Sequence, residues 1–414
     1  MEKTVRLKIN WVPILSWLYL FFAYTVGMMT AEGSRVGGYL LIGILLLIFA
    51  AVVIQYRNCL RIEITYFHIY ILLFGFYCAL SALWAQNTGV CITRGIDITE
   101  ILVAMTIMYF YYQNEEGVDS LLKVVMYGCY SVVIYALLYY DVDEVVAMLT
   151  SVSRVSNDAI NANSLGMCAA YAIIINLYYI LYDRIRIRDV LLLISVPMLI
   201  VSGSRKALFM VVAGVFGIFV LRNWDRKKFA KSVVKVCAVV IILLILFLFL
   251  AQLPAFAGIV GRMKELINIL FEGDYQRGNS AWIRLEYNKL GRELFSEHPI
   301  LGIGIGNANI YTQMYYGHDH FLHNNYIELL ACGGLVGFIL YYSIYGVILF
   351  RMIRFRKCRD KEYDICLIIL ALVLVLDYGM VSYFDKTTYI FLLLLWMESE
   401  HLKRKALRKQ NGYT

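Results

Sequence analysis

Apolar segments of about 20 residues, separated by short polar hinges, alternate along most of this chain. A bilayer core about 30 Å thick needs around 20 apolar residues per helix, so each segment is a predicted transmembrane span. The pattern predicts about twelve spans. We place them at 11–30, 37–55, 64–84, 96–112, 121–140, 160–182, 190–204, 206–221, 232–251, 324–350, 365–383 and 387–400.

One long polar stretch, residues 252–322, interrupts this pattern near the end of the chain. It divides the sequence into a region with the first nine spans (1–251), a loop domain (252–322) and a region with the last three spans and a basic tail (323–414). The loop is the one segment outside the predicted spans that is long enough to be a catalytic domain. We therefore expect the chemistry to lie there and at the ends of the spans beside it.

The composition excludes a soluble globular protein. Hydrophobic residues make up 61% of the chain, charged residues 16%, and the mean hydropathy is +0.68. A soluble domain has roughly 25% charged residues. We predict an all-α, polytopic transmembrane protein with one large, partly helical loop.

The basic residues predict the orientation, because cytoplasmic loops are enriched in them. With the N-terminus inside, 26 of the 38 Lys and Arg residues fall on the cytoplasmic side, and half of the others lie in the long loop. Both termini are then cytoplasmic and the loop is extracytoplasmic. The net charge of +8 is explained by membrane insertion and by anionic lipid head groups, and it predicts no nucleic-acid partner.

A cationic hinge separates the seventh and eighth predicted spans. It reads Val201-Ser202-Gly203-Ser204-Arg205-Lys206. Serine and glycine allow a turn that exposes backbone N–H groups, and with Arg205 and Lys206 such a turn could hold an anion. The alternative is a surface hairpin whose two long side chains extend to the membrane interface.

The long loop contains two helical patterns. Apolar positions in 257–271 predict a helix lying on the outer leaflet. A second pattern, 280–296, puts Arg284 and Arg292 on one face. Guanidinium groups match phosphate oxygens in a bidentate manner, so this face could grip a diphosphate. The alternative is the solvated face of an amphipathic helix.

Histidines cluster where the loop ends, at His318, His320 and His323. Together with Asp319 they have the residue types of a zinc site, but their spacing matches no standard zinc pattern. A neutral histidine at the mouth of a span is the better use, because an ordinary pKa near 6.5 suits a base that takes a proton from a sugar hydroxyl. Upstream, a run of glycines lets the backbone approach a ligand or another helix closely. These glycines are Gly302, Gly304 and Gly306.

Several motifs, in this order, resemble the O-antigen ligase and O-antigen polymerase superfamily over about residues 200–340. They are Ser202-Gly203-Ser204-Arg205, Trp282-Ile283-Arg284, His298-Pro299-Ile300-Leu301-Gly302-Ile303-Gly304, His323-Asn324-Asn325-Tyr326-Ile327-Glu328-Leu329-Leu330 and Gly333-Gly334-Leu335-Val336-Gly337. In the first half, Asn161-Ala162-Asn163-Ser164-Leu165-Gly166 is similar to a family motif that begins a span.

The resemblance implies a membrane glycosyltransferase in the inner membrane of a bacterium. Such enzymes move a glycan from undecaprenyl diphosphate onto an acceptor hydroxyl outside the cytoplasmic membrane, without nucleotide sugar, metal or other cofactor. It implies that His323 is the general base or orients the acceptor, and that Arg205 and Arg284 bind the diphosphate. It also implies supporting residues. Asn324 would fix the orientation of the imidazole, three glycines would allow close helix packing, and two further cations would assist the site. The glycines are Gly333, Gly334 and Gly337, and the cations are Lys206 and Arg292.

Some residues depart from the family pattern, and their roles stay open. They include Lys206, His318 and His320. Asp377 and Asp385 border the last two spans, where they could touch substrate, although helix capping or pairing with Lys386 is simpler.

The reaction also has alternatives. We favour polymerisation of O-antigen, capsule or exopolysaccharide repeat units, because the loop lacks an obvious large docking surface for a lipid A core. A ligase would use that core as its acceptor. A flippase or transporter would need charges at the membrane midplane. Expected partners are the lipid-linked donor, an acceptor glycan, the bilayer, a chain-length regulator and a flippase.

Overall fold

The computed structural model describes residues 10–26, 31–55, 63–114, 116–141, 143–146, 160–223 and 280–411, with single positions between 231 and 261. These residues form helices and no strand. The helices are α1 (Trp11–Val26), α2 (Ala31–Gln55), α3 (Tyr66–Leu80), α4 (Thr88–Tyr112), α5 (Gly117–Tyr140), α6 (Ala162–Tyr182), α7 (Leu192–Ser202), α8 (Arg205–Asn223), α9 (Ser280–Glu297), α10 (Ala308–Tyr316), α11 (Asn325–Arg354), α12 (Glu362–Leu376) and α13 (Lys386–Gln410).

The predicted all-α, polytopic membrane fold is confirmed. Six of the described helices are long and apolar enough to cross a membrane. Five further predicted spans coincide with helices that are shorter or more polar, namely α1, α4, α7, α12 and α13. The predicted span at 232–251 and the predicted surface helix at 257–271 lie largely outside the described residues.

Polar side chains begin the helices at one end of the molecule. Asn87 caps α4, Asn161 caps α6, Asn324 caps α11 and Asp385 caps α13, each accepting hydrogen bonds from backbone N–H groups of the first turn. Such a cap stabilises a helix by roughly 1 kcal/mol. The capped starts of these four helices frame the end of the structure where the candidate site lies.

Helix α11 is broken near its start by Gly334, whose φ of 59° and ψ of −166° are not helical. The break leaves backbone groups of α11 without their helical partners, and the glycine-rich segment 299–306 supplies new ones. The N–H groups of Ile303 and Gly304 donate to the carbonyls of Ala331 and Cys332, at 3.0 and 2.9 Å. This pairing satisfies backbone groups of residues that are buried in the protein.

The pairing continues beyond the break and requires glycine on both sides. The N–H of Leu335 donates to the carbonyl of Pro299 at 2.9 Å. A Cβ added at Gly334 would lie 2.3 Å from the carbonyl oxygen of Ile300. One added at Gly302, which has a φ of +68°, would lie 2.4 Å from the backbone of α11. The expectation that these glycines allow a close backbone approach is therefore confirmed.

Helices α6, α7 and α8 bring two sequence motifs together. Gly203 adopts the left-handed conformation and ends α7, so the chain turns at the hinge into α8. A Cβ at Gly166 would lie 2.6 Å from Oγ of Ser202, which shows how closely α6 packs there. The hydroxyl of Ser204 donates to Oδ1 of Asn163 at 3.3 Å. The asparagine motif at the start of α6 thus supports the cationic hinge.

Helix α9 confirms the helical pattern predicted at 280–296 and packs on the start of α11. Its apolar stripe, including Tyr287, Leu290 and Leu294, is buried. A Cβ at Gly291 would lie 2.3 Å from the side chain of Ile327, so the two helices touch closely. This contact fixes the face of α9 that carries Arg284 relative to α11.

Candidate functional site

His323 lies directly before the cap of α11 in a backbone conformation that is unusual for its residue type. Its φ is +56°, in the left-handed region, at a cost of roughly 1–2 kcal/mol for a residue with a Cβ. The side chain is partly buried, and its ring stacks on Tyr287 of α9, with 6.1 Å between the ring centroids and 12° between the planes. Strain of this kind accumulates at functional sites, because the surrounding structure enforces one side-chain position.

Two cations from distant segments lie close to the His323 imidazole. Burial, then the charges of Arg284 and Lys206, then His320 lower the pKa of His323 to about 4. The imidazole is therefore neutral at physiological pH and available as a hydrogen-bond or proton acceptor. The structure thus brings together Arg284 of the loop helix, Lys206 of the hinge and His323, which are up to 117 positions apart in sequence.

Lys206 was predicted as a supporting cation, and the structure gives it a central position. Its ammonium group donates to the carbonyl oxygen of Gly379 at 2.5 Å. It also interacts electrostatically with Arg284. Two like charges held together repel each other, and an anion between them would relieve that repulsion. The arrangement is therefore able to hold an anion.

The remaining predicted cations occupy different positions. Arg205 is partly buried in the first turn of α8, directly after the hinge. Arg292 lies about two turns after Arg284 along α9 and is exposed. The charges acting on His323 come from Arg284, Lys206 and His320.

The other histidines of the cluster are exposed. The rings of His318 and His320 stack with their centroids 6.0 Å apart, and those of His320 and His323 are 6.2 Å apart. Within the described part of the chain, no group of three or more His, Cys, Asp or Glu side chains is arranged to hold a metal ion.

Asn324 and the glycines after it shape α11. The Asn324 side-chain oxygen accepts hydrogen bonds from the N–H groups of Tyr326 and Ile327, at 3.0 and 3.2 Å. It therefore acts as a helix cap, a different contact from the expected bond to the imidazole. A Cβ at Gly337 would lie 2.8 Å from the ring of Tyr77, whose hydroxyl donates to the Gly333 carbonyl at 2.6 Å.

Sequence reasoning missed a buried network centred on Asn325. Its side-chain amide donates to Tyr342 at 2.9 Å and to Asp377 at 3.3 Å, while its oxygen accepts from the backbone N–H groups of Ser382 and Tyr383. The hydroxyls of Tyr342 and Ser382 both donate to the carboxylate of Asp377. Burial raises the pKa of Asp377 to about 6. The network ties the start of α11, two residues after His323, to the segment that follows α12.

Asp385 and Arg94 complete the surroundings. Asp385 caps α13, in agreement with the alternative that it serves as a helix cap. Lys386 forms its ion pair with Glu100, at 2.7 Å. Arg94 of α4 lies 3.8 Å from the ring centroid of Phe384 and forms an ion pair with Asp97 at 3.0 Å. Arg94 falls just before the predicted fourth span, and no local pattern marked it.

Comparison with known families supports the resemblance found in the sequence. Residues 190–342 match the family model described as O-antigen ligase. Residues 190–342 are thus similar to the O-antigen ligase family. The resemblance seen in the sequence is thereby confirmed, and the matched segment contains Lys206, Arg284 and His323. A comparison with curated proteins returns no match.

The matched segment runs from the start of α7 to the middle of α11. The apolar helices show a multi-pass membrane protein. The family match supports a role in surface glycan assembly of the ligase or polymerase type. Asp377 lies beyond the matched segment, yet it contacts Asn325 within it.

Proposed function

We propose that this protein transfers an undecaprenyl-diphosphate-linked glycan to an acceptor hydroxyl, and that it polymerises repeat units of O-antigen, capsule or exopolysaccharide. The proposal rests on one observation: Lys206, Arg284 and His323 lie close together at one end of the helices. The two cations suit a diphosphate, and the neutral imidazole suits a hydroxyl.

The cations would act on the leaving group. When the bond between the sugar and the diphosphate breaks, negative charge on the diphosphate increases. Fixed positive groups stabilise that developing charge more than the ground state, which lowers the barrier. Arg284 would bind two oxygens with its planar fork, Lys206 would contribute a point charge, and Arg205 in the same turn would extend the site.

His323 would act on the acceptor. Its imidazole takes the proton from the acceptor hydroxyl while that oxygen attacks the anomeric carbon, and undecaprenyl diphosphate leaves with the electron pair of the broken C–O bond. Burial and the two cations hold the pKa of His323 low. A bound diphosphate would offset their charge and raise the pKa toward its ordinary value, so that His323 becomes a stronger base when the donor is present.

The same cations supply the positive charge that a divalent metal provides in other phosphate-cleaving sites, so we propose a reaction without metal. We also propose that the protein lies in the inner membrane with both termini cytoplasmic and His323 outside. A flippase would then deliver the donor, and a chain-length regulator would set the product size.

Reconstitution with a lipid-linked repeat unit tests the reaction. Lengthening of the glycan with release of undecaprenyl diphosphate would establish a polymerase. Product that forms only when lipid A core is added would establish a ligase, which the description of the matched family favours. Movement across the membrane without a new bond would refute both.

Variants test the site. We expect His323→Ala and Arg284→Ala each to abolish transfer while the protein still accumulates in the membrane. His318→Ala and Lys289→Ala are matched controls, because both side chains are exposed and the latter lies on the same helix as Arg284. Full turnover by either site variant would remove the basis of the assignment.

A further inference from the structure

A cavity of about 710 Å³ lies far from His323. It is formed where α4 ends, where α5 begins and along the last turns of α13. Helix α4 starts beside the glycine-rich segment, where the N–H of Asn87 donates to Asn307 at 2.7 Å, and a 25-residue helix spans roughly 37 Å. The cavity is therefore at the opposite end of the helices from the candidate site.

The wall of this cavity is strongly cationic on one side. Arg404, Lys405, Arg408 and Lys409 of α13 line it, against one acidic lining residue, Glu400. Positions 404, 405, 408 and 409 share a face because helical neighbours recur every three to four residues. Four positive charges converge on one space that is large enough for a small ligand.

The inner cations are held in place by carboxylates. Arg404 contacts Glu63 at 3.2 Å, and Lys405 lies 3.9 Å from Asp360. Glu400 in turn accepts a hydrogen bond from Arg351 at 2.5 Å, which offsets its charge. Arg408 and Lys409 lie further out and are exposed. The cavity is therefore lined by cations from its inner part to its exposed edge.

The remaining lining is mixed: Gln113, Asn114 and His401 are polar, and the other lining residues are apolar or aromatic. Val118 of α5 and Met397 of α13 line the cavity together with Tyr109 and Tyr112. The apolar residues of α13 give way to its basic residues between positions 397 and 404, so the cavity lies where a span would leave the bilayer. Cationic groups beside apolar ones at this level suit an amphipathic anion.

We propose that this cavity binds the phosphate of an anionic lipid from the leaflet opposite His323. The phosphate would lie between the cations of α13, and the glycerol and the first acyl carbons would contact Val118 and Met397. Basic pockets between membrane helices on the cytoplasmic side bind such head groups. The site serves neither donor nor acceptor, so the proposal is independent of the proposed reaction.

Native mass spectrometry of the purified full-length protein tests the site. Phosphatidylglycerol, phosphatidylcholine with the same acyl chains, and inorganic phosphate are titrated separately. We expect phosphatidylglycerol to bind at least tenfold more tightly than phosphatidylcholine. In the variant Arg408→Gln/Lys409→Gln, affinity for phosphatidylglycerol should fall by roughly 10-fold to 30-fold. Both positions are exposed, so the variant should unfold at the wild-type temperature in lipid-free detergent.

The matched control is Lys357→Gln/Lys403→Gln, which removes the same charge from residues that do not line the cavity. Its affinity for phosphatidylglycerol should stay within about twofold of the wild type. Equal affinity of the wild type for both lipids, or equal losses in the two double variants, would overturn the proposal. So would binding of inorganic phosphate with no preference for the anionic lipid, because the ligand would then be a soluble phosphate.

Discussion

Neutralising Lys206 should raise the pKa of His323. In the wild type that pKa is lowered to about 4, chiefly by burial, next by Arg284 and then by Lys206. From an ordinary value near 6.5, this corresponds to about 3 kcal/mol against protonation. Lys206→Gln removes one of the two full charges and leaves the burial. We therefore expect a rise of part of that amount, with a pKa between about 4 and 6.5.

The measurement is an NMR titration of the histidine side chains in the ¹⁵N-labelled protein, with His323→Gln to assign the signal. Lys289→Gln is the matched control, since Lys289 is exposed on the helix that carries Arg284, and it should leave the titration unchanged. A diphosphate analogue added to the wild type should raise the pKa as well. A wild-type pKa near 6.5, or one that Lys206→Gln leaves in place, would refute the electrostatic reasoning.

The same shift has a consequence for stability. The folded pKa of His323 is below its unfolded value, so between about pH 6.5 and pH 4 the unfolded chain binds the proton more readily. The contribution of His323 to stability is therefore complete above pH 6.5 and is lost as the pH falls toward 4. Unfolding temperatures measured across this range should decline less in His323→Gln than in the wild type.

Further predictions concern the break, the buried network and the metal. Gly334→Ala should lower the free energy of unfolding by about 2 kcal/mol or more, because Gly334 has a positive φ and a Cβ there would lie 2.3 Å from the Ile300 carbonyl oxygen. The control Gly346→Ala should be neutral or stabilising, because a Cβ at Gly346 would meet nothing within 4 Å. Thermal unfolding compares the two variants. Asp377→Asn should destabilise by about 1–3 kcal/mol in the same assay, with exposed Asp319→Asn as its control. Transfer activity should persist in EDTA, and loss of activity restored by zinc would contradict the metal-free proposal.

Hydropathy and charge were sufficient to predict the membrane fold. Each predicted span that falls on described residues coincides with a helix. A run of about 20 apolar residues can be recognised from neighbouring positions alone, without knowledge of how the chain packs. The start of α4 was placed eight residues too late. Its first turns carry Thr88, Arg94 and Asp97, and tertiary contacts with the glycine-rich segment extend the helix beyond the apolar window.

The candidate site was only partly predictable. His323 stood out as a histidine at the mouth of a predicted span, and Arg284 because it shares a helical face with Arg292 in the long loop. The central position of Lys206 depends on the carbonyl of Gly379, which is 173 positions away. The bond between Asn325 and Asp377 joins residues 52 positions apart, and no local pattern encodes it. Pairings of this range follow from how the helices pack, which the sequence alone does not specify.

The broken helix α11 has a consequence for engineering. Segment 299–306 forms backbone hydrogen bonds with α11 on both sides of the break. The end of the loop and helix α11 are therefore packed together as one rigid element. A chimaera that exchanges the loop for that of a relative must exchange residues 325–337 with it. Transplanting either part alone would leave buried amide groups without hydrogen-bond partners, so substrate preference should be transferable between such proteins only when both parts are exchanged together.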